Sequence, residues 1–164
     1  MKAHFQALAA YNEWANRRLY EAVGALPAED FVRDLKAFFG SLRGTLNHIL
    51  VADLIWLGRF TGTPAADITS LDQTLHTDFA ALDAARREVD LRLIDFVGGL
   101  EPADFAATIA YRTMTRGEAV NTRANMLTHV FNHQTHHRGQ AHGLLSLLGR
   151  EAPSLDLILF LNTR

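Results

Sequence analysis

The sequence predicts an all-α fold, a four-helix bundle with one small hairpin before the fourth long helix. Three observations predict it. Glycine and proline cut the chain into a few long segments. Those segments carry apolar residues at helical rather than alternating spacing. The connections between them are of moderate length, which suits long helices packed side by side. The chain has 164 residues and 48% of them are hydrophobic, enough for a single domain over 1–164 built on one core.

Taken in order, residues 3–23 read as an amphipathic helix with Phe5, Leu8, Ala9, Trp14, Leu19 and Val23 among its apolar positions. Gly24 and Pro27 stop it. Residues 27–40 form a connector with a short helical turn. The second long helix spans 41–60, with Ser41 as N-cap and Gly62 and Pro64 closing the far end. A third helix is expected over 70–97, capped by Ser70 or Thr69 and ended by Gly98-Gly99, with Asp78, Asp83 and Arg86 on its polar side. Residues 101–120 are less regular. Thr108 to Arg112 is rich in β-branched and aromatic residues, and Gly117-Glu118 signals a turn, so a hairpin is expected here. The fourth long helix covers 122–148 and ends at Gly149, and Ser154 caps a short closing helix over 155–161.

Bulk properties narrow the function. The formal charge is −2 and the basic residues are scattered, so no phosphate-tracking surface or anionic-membrane face is expected, and no nucleic-acid partner. Cysteine is absent, which excludes disulfides, iron–sulfur ligation and thiol catalysis by the chain itself. No stretch approaches the ~18 consecutive apolar residues of a bilayer span. The first twenty residues lack an apolar segment followed by a small-residue cleavage site. A cytoplasmic location is the expectation.

The chemistry concentrates in His129-Val-Phe-Asn-His133-Gln-Thr-His136-His137-Arg-Gly-Gln140. At about 100° per residue, His137 lies about 40° from His133, and Met126 and Gln140 lie within about 20° of it. Leu144, Val130, Leu147 and Leu148 fall on the same side. Both imidazoles therefore sit on the stripe facing the interior, which is costly unless each finds a partner. The i, i+4 spacing stacks the rings on one face, at a separation one metal ion can bridge. The second helix offers a third ligand, His48, which shares its face with the small or apolar Ser41, Thr45, Ala52 and Ile55. Three neutral histidines with an open position suit zinc, nickel or another borderline divalent ion.

A hydrogen-bonded core histidine is the commoner role for an interior imidazole, and His129 pairs with His133 as well as His137 does. His136 falls about 60° off the stripe. His4, His76 and His142 read as ordinary residues. Gln134 stands where a zinc protease carries its glutamate base, and an amide cannot take a proton. Glu-x-x-His repeats of di-iron bundles and a Gly-x-Ser-x-Gly elbow are both missing. Asp53 lies within an apolar arc, with a structural role favoured over orienting a ligand.

Four segments carry a resemblance. Tyr11-Asn-Glu-Trp14-Ala-Asn16-Arg17-Arg18-Leu19-Tyr20-Glu21-Ala22 opens it, and Leu46-Asn47-His48-Ile49 follows, with Asp53 and Trp56. His133-x-x-x-His137-Arg138-Gly139-Gln140 and Pro153-Ser154-Leu155-Asp156 close it. In these motifs the chain resembles the DinB/YfiT-like metalloenzyme family nearly end to end. The resemblance implies an up-down-down-up bundle, usually a homodimer, with one second-helix and two fourth-helix histidines on a metal. Those correspond to His48, His133 and His137, which favours His137 over His129. Some relatives in that family are thiol-dependent enzymes. The implied function is therefore metal-assisted activation of water or of a low-molecular-weight thiol co-substrate, by zinc, nickel or iron, in a hydrolase or thiol S-transferase. Asp53, His136 and Gln140 are the candidates for supporting the ligands or the substrate, with Arg138 also a candidate for positioning it. The alternative is a non-catalytic, stress-linked helical dimer that binds metal or a ligand. Val51, Leu54 and Ile55, outside the main apolar arc of the second helix, suit such an interface or a second buried face.

Overall fold

The computed structural model describes residues 1–163, which are mostly helical with one two-stranded antiparallel sheet among them. The helices are α1 (Lys2–Gly24), α2 (Ala28–Val32), α3 (Leu42–Thr61), α4 (Phe79–Gly99), α5 (Arg123–Leu147) and α6 (Leu157–Asn162). A 3-10 turn (Pro102–Phe105) leads into the hairpin of β1 (Thr108–Thr113) and β2 (Gly117–Thr122).

Local chemistry sets most of the boundaries. The Ser41 hydroxyl accepts from the Gly44 amide and starts α3, and Gly62, at φ 72°, ends it by donating its amide to the Gly58 carbonyl. Thr122 caps α5 by accepting from Asn125. The hairpin runs from Thr108↔Thr122 to Thr113↔Gly117, and Gly117 takes the left-handed φ of 81° that its short loop needs.

Two expected boundaries move. The third long helix starts at Phe79, capped by Asp78, and not at residue 70. The reason is tertiary: residues ahead of it are captured by α3. Asn47 Oδ1 accepts from the amides of Leu75 and His76 at 2.8 and 2.9 Å, and Asn47 Nδ2 donates to the His76 carbonyl at 3.0 Å. Peptide groups so engaged are withdrawn from a helical ladder. The closing helix likewise begins at Leu157, because the Leu155 and Ser154 carbonyls accept from Tyr11 Oη and Arg18 Nε of α1.

Each of α1 and α3 packs on both α4 and α5. Side-chain pairs give the directions. Asn12 and Asn16 meet Asp90, while Gly24 abuts Phe79, so α1 and α4 are antiparallel. His48 meets His137 and Trp56 meets His129, so α3 and α5 are antiparallel too. Phe5 faces Phe131 and Asn16 faces Arg138, so α1 and α5 run the same way. Asp53 with Arg86, and Phe60 with Phe96, set α3 parallel to α4. Leu19, Leu42, Leu46, Leu50, Leu82 and Leu127 are fully buried between them, each worth about 1.5–3 kcal/mol of apolar burial. Val51 is buried by the chain's own elements, while Leu54 and Ile55 are half-buried.

A polar layer crosses this core. Arg86, expected on the polar side of its helix, is buried and pairs with Asp53 at 2.7 Å and Asp90 at 3.0 Å. Asp90 accepts from Asn12 and Asn16, whose Oδ1 atoms accept in turn from Arg138 Nη1 at 2.8 and 3.0 Å. Gln134 Nε2 donates to Asp53. Two carboxylates and two guanidinium groups balance, which is the condition for keeping charges inside a core. Burial pushes the Asp53 carboxyl up to about 6, against the pull of Arg86, and burial also raises Asp90.

Candidate metal centre

Antiparallel packing of α3 on α5 brings three imidazoles to one point. His48 Nε2 lies 3.2 Å from His133 Nε2 and 3.2 Å from His137 Nε2. One ligand atom from each of the three lies within 4.8 Å of the others. His48 is buried; His133 and His137 are half-buried.

The outer nitrogens are held from behind. His48 Nδ1 is 2.7 Å from the Leu71 carbonyl, an acceptor only, so Nδ1 carries the proton and Nε2 presents its lone pair. His137 Nδ1 is 2.8 Å from Gln140 Oε1, which selects the same tautomer there. Two lone pairs thus face each other at 3.2 Å, an arrangement that neither ring can satisfy by hydrogen bonding to the other. A cation between them resolves it. Zinc–nitrogen bonds of about 2.0–2.1 Å in tetrahedral array set neighbouring nitrogens about 3.3 Å apart. The donor set therefore fits one borderline divalent ion.

Burial lowers the pKa of all three imidazoles. His133 is pushed down to about 3, by desolvation first and then by His137 and His48. His48 is lowered by burial, partly offset by the Leu71 hydrogen bond, and His137 by burial, partly offset by Gln140. All three stay neutral at pH 7, the form that ligates metal.

The walls differ in character. Phe39 stacks on His48 with ring centres 4.0 Å apart and meets His137 edge-on at 5.6 Å. Its backbone comes so close to α3 that a Cβ on Gly44 would lie 2.1 Å from the Phe39 carbonyl oxygen, so glycine is required there. On the other side a cleft of about 270 Å³ opens onto His48 and His133, walled by Ala52, Trp56, Tyr111 and His129.

The remaining sequence candidates separate. Gln140 bridges His137 to the exposed His136, reaching its Nε2 at 3.2 Å. His129 stands on the cleft rim with its ring 4.8 Å from Trp56. Asp53 bonds to Arg86 and Gln134 in the polar layer. Arg138, expected near substrate, is buried against Asn12, Asn16 and the Tyr11 ring instead, because those acceptors lie on the interior face of α1. Sequence reasoning missed Asn47, Leu71 and Phe39. Only Asn47 left a signal, as a carboxamide beside His48 in the Leu46-Asn47-His48-Ile49 segment.

Fold and site together define a mostly helical protein with a three-histidine cluster capable of holding a metal ion. The chain belongs to the DinB family, whose model matches residues 1–164. It is 28% identical over 156 residues to Protein DinB of Bacillus subtilis (strain 168), covering 92% of this chain and 90% of that one. Its fold is similar to the crystal structure of a DinB-like protein from Bacillus cereus ATCC 10987, with a TM-score of 0.66 at 20% identity over 88% of this chain and 91% of that chain. No helix among the described residues is long and apolar enough to cross a membrane.

Proposed function

We propose that this protein is a metal-dependent enzyme whose His48, His133 and His137 hold one divalent ion, zinc or nickel by preference with iron as a third option, on an up-down-down-up four-helix bundle. The observation that carries the reading is the pair of facing Nε2 lone pairs, each fixed by a hydrogen bond to the opposite ring nitrogen. Three protein donors beside an open cleft match the pattern of a catalytic site, since structural zinc is normally enclosed by four. A bound divalent ion supplies Lewis acidity, lowering the pKa of a water or thiol that reaches it through the cleft.

The chain's own residues do the rest. Leu71 and Gln140 orient the ligands, and Gln140 couples His137 to His136. Phe39 keeps water from one side of the cluster. His129, lowered by burial and by the Arg59 charge, is neutral at the rim and accepts a proton from the incoming nucleophile. With no cysteine in the chain, a thiol nucleophile arrives on a small-molecule co-substrate. The reaction class is hydrolysis or thiol S-transfer. A homodimer is part of the proposal; Leu157, Ile158, Leu159 and Leu161 of α6 are exposed and apolar enough to contribute to its contact.

Elemental mass spectrometry of tag-free protein tests the metal, beside the His48→Ala, His133→Ala, His137→Ala triple variant. Near-stoichiometric metal lost in the folded variant is the expected result, and a metal-free wild type after dialysis against zinc and nickel overturns it. Cobalt-substituted protein separates an enzyme from a non-catalytic, stress-linked metal binder. A sulfur-to-cobalt absorption band on adding 2-mercaptoethanol reports the open position, and an unchanged spectrum favours the binder.

A further inference from the structure

Arg59 is a half-buried cation without a carboxylate. No Asp or Glu among the described residues lies within ion-pair distance of it. Its guanidinium instead lies 4.3 Å from the centre of the Trp56 ring and 4.7 Å from that of Tyr111, and it donates to the Arg112 carbonyl at 3.1 Å. Those contacts use the faces of the two rings and one N–H, leaving donors of the five-donor fork unspent. Burial disfavours its charge, lowering its pKa from the ordinary arginine value. Such a charge gains most from an anion that arrives with its own hydrogen-bond acceptors.

Its position makes that anion a ligand. His48, Ala52, Ile55 and Arg59 recur at i, i+4, i+7 and i+11 along one face of α3. The cleft that opens onto His48 and His133 is also lined by Arg59, and beyond Arg59 it continues into a second hollow of about 340 Å³. Arg59, Ile55, Tyr111 and Met114 line both. The helical rise sets the His48 and Arg59 Cα atoms about 16 Å apart. Arginine leans toward the helix N-terminus, so the charged head is on the order of 10 Å from the histidines. Between them the floor is Ala52 and Ile55, both apolar.

We propose that Arg59, set against the Trp56 and Tyr111 rings, is the anion subsite of this cleft, and that the substrate is a small organic anion with an apolar middle. Its carboxylate or phosphate pairs with Arg59 while its other end reaches the histidine cluster. The proposal rests on the reading of that cluster as the reactive centre, but the subsite itself forms without metal, which makes the two separable.

The test uses metal-free protein and two probes of equal chain length, hexanoate and hexanamide. Binding is read from Trp56 fluorescence in a Trp14→Phe background, the chain having two tryptophans. Wild type is expected to prefer hexanoate by about tenfold, as charge-assisted hydrogen bonds require. Arg59→Gln should abolish the preference while leaving hexanamide affinity unchanged, and Arg59→Lys should keep part of it. Equal binding of both probes, or of neither, overturns the proposal. So does a preference that persists in Arg59→Gln, or a loss of both probes together, which would make Arg59 a pin for the hairpin. A hexanoate preference in a protein that takes up no metal would keep the subsite and remove the reactive centre.

Discussion

Replacing Asn47 with alanine tests whether the loop over residues 62–78 is what prepares the histidine cluster. Asn47 is 1% exposed, and three of its hydrogen bonds reach this loop, at Leu75, His76 and again His76. Each is worth about 0.5–1.5 kcal/mol net, so the set holds the loop down by about 3 kcal/mol. Its loss lowers the free energy of opening the loop by that amount, without cutting into the helical core by the same measure, since the freed amides reach water. Exchange protection at the Leu75 and His76 amides should then fall by about two orders of magnitude. The same loop delivers the Leu71 carbonyl to His48 Nδ1. Metal affinity, measured by competition with a chromophoric chelator, should drop about 10- to 100-fold, as for other partners that orient a ligating imidazole. Unchanged protection at these two amides together with unchanged metal affinity would refute the reasoning.

Other outcomes follow from the same geometry. Gln140→Ala removes the acceptor at His137 Nδ1 and should weaken metal binding about tenfold, with the urea midpoint unmoved because Gln140 is half-buried and outside the core. Asp53→Ala leaves the buried Arg86 with Asp90 alone and one guanidinium in excess in the polar layer, and should cost about 3–5 kcal/mol by urea unfolding, most of it recovered when Arg86→Met is added, which balances Asp90 against Arg138 again. Gly44→Ala drives a Cβ to 2.1 Å from the Phe39 carbonyl oxygen, and should displace Phe39 from His48 and lower the thermal midpoint, although alanine is the better helix former by about 1 kcal/mol. For pH, the folded imidazole pKa values lie below the unfolded ~6.5, His133 at about 3, so the unfolded chain takes up protons first. Stability of the metal-free protein relative to the triple alanine variant should therefore be full above pH ~6.5 and decline on acidification below it. The raised carboxyls of Asp53 and Asp90 act in the opposite sense in both proteins and cancel in the comparison. A parallel pair of stability curves would count against the buried, neutral triad.

Much of this molecule is written in short-range patterns. Apolar spacing, caps such as Ser41 and Thr122, and breakers such as Gly62 and Gly117 mark the long helices and the hairpin, because a helix or a turn is decided within a few residues. The His133/His137 pair is legible for the same reason: four residues on a helix is a fixed distance. What remained hidden depends on elements far apart in sequence. His48 and His133 are separated by 85 positions, and no periodicity states that their helices pack face to face. The late start of α4 follows from Asn47 reaching 28 and 29 residues ahead to occupy peptide groups that helical propensity alone would have used. Arg86 and Arg138 look like surface cations by type, and become interior ones because Asp53, Asp90, Asn12 and Asn16 arrive from other helices to neutralise and bond them. Local propensity acts before those partners meet; the tautomers at the histidines and the charges in the core are settled after they do, by a loop carbonyl and by packing.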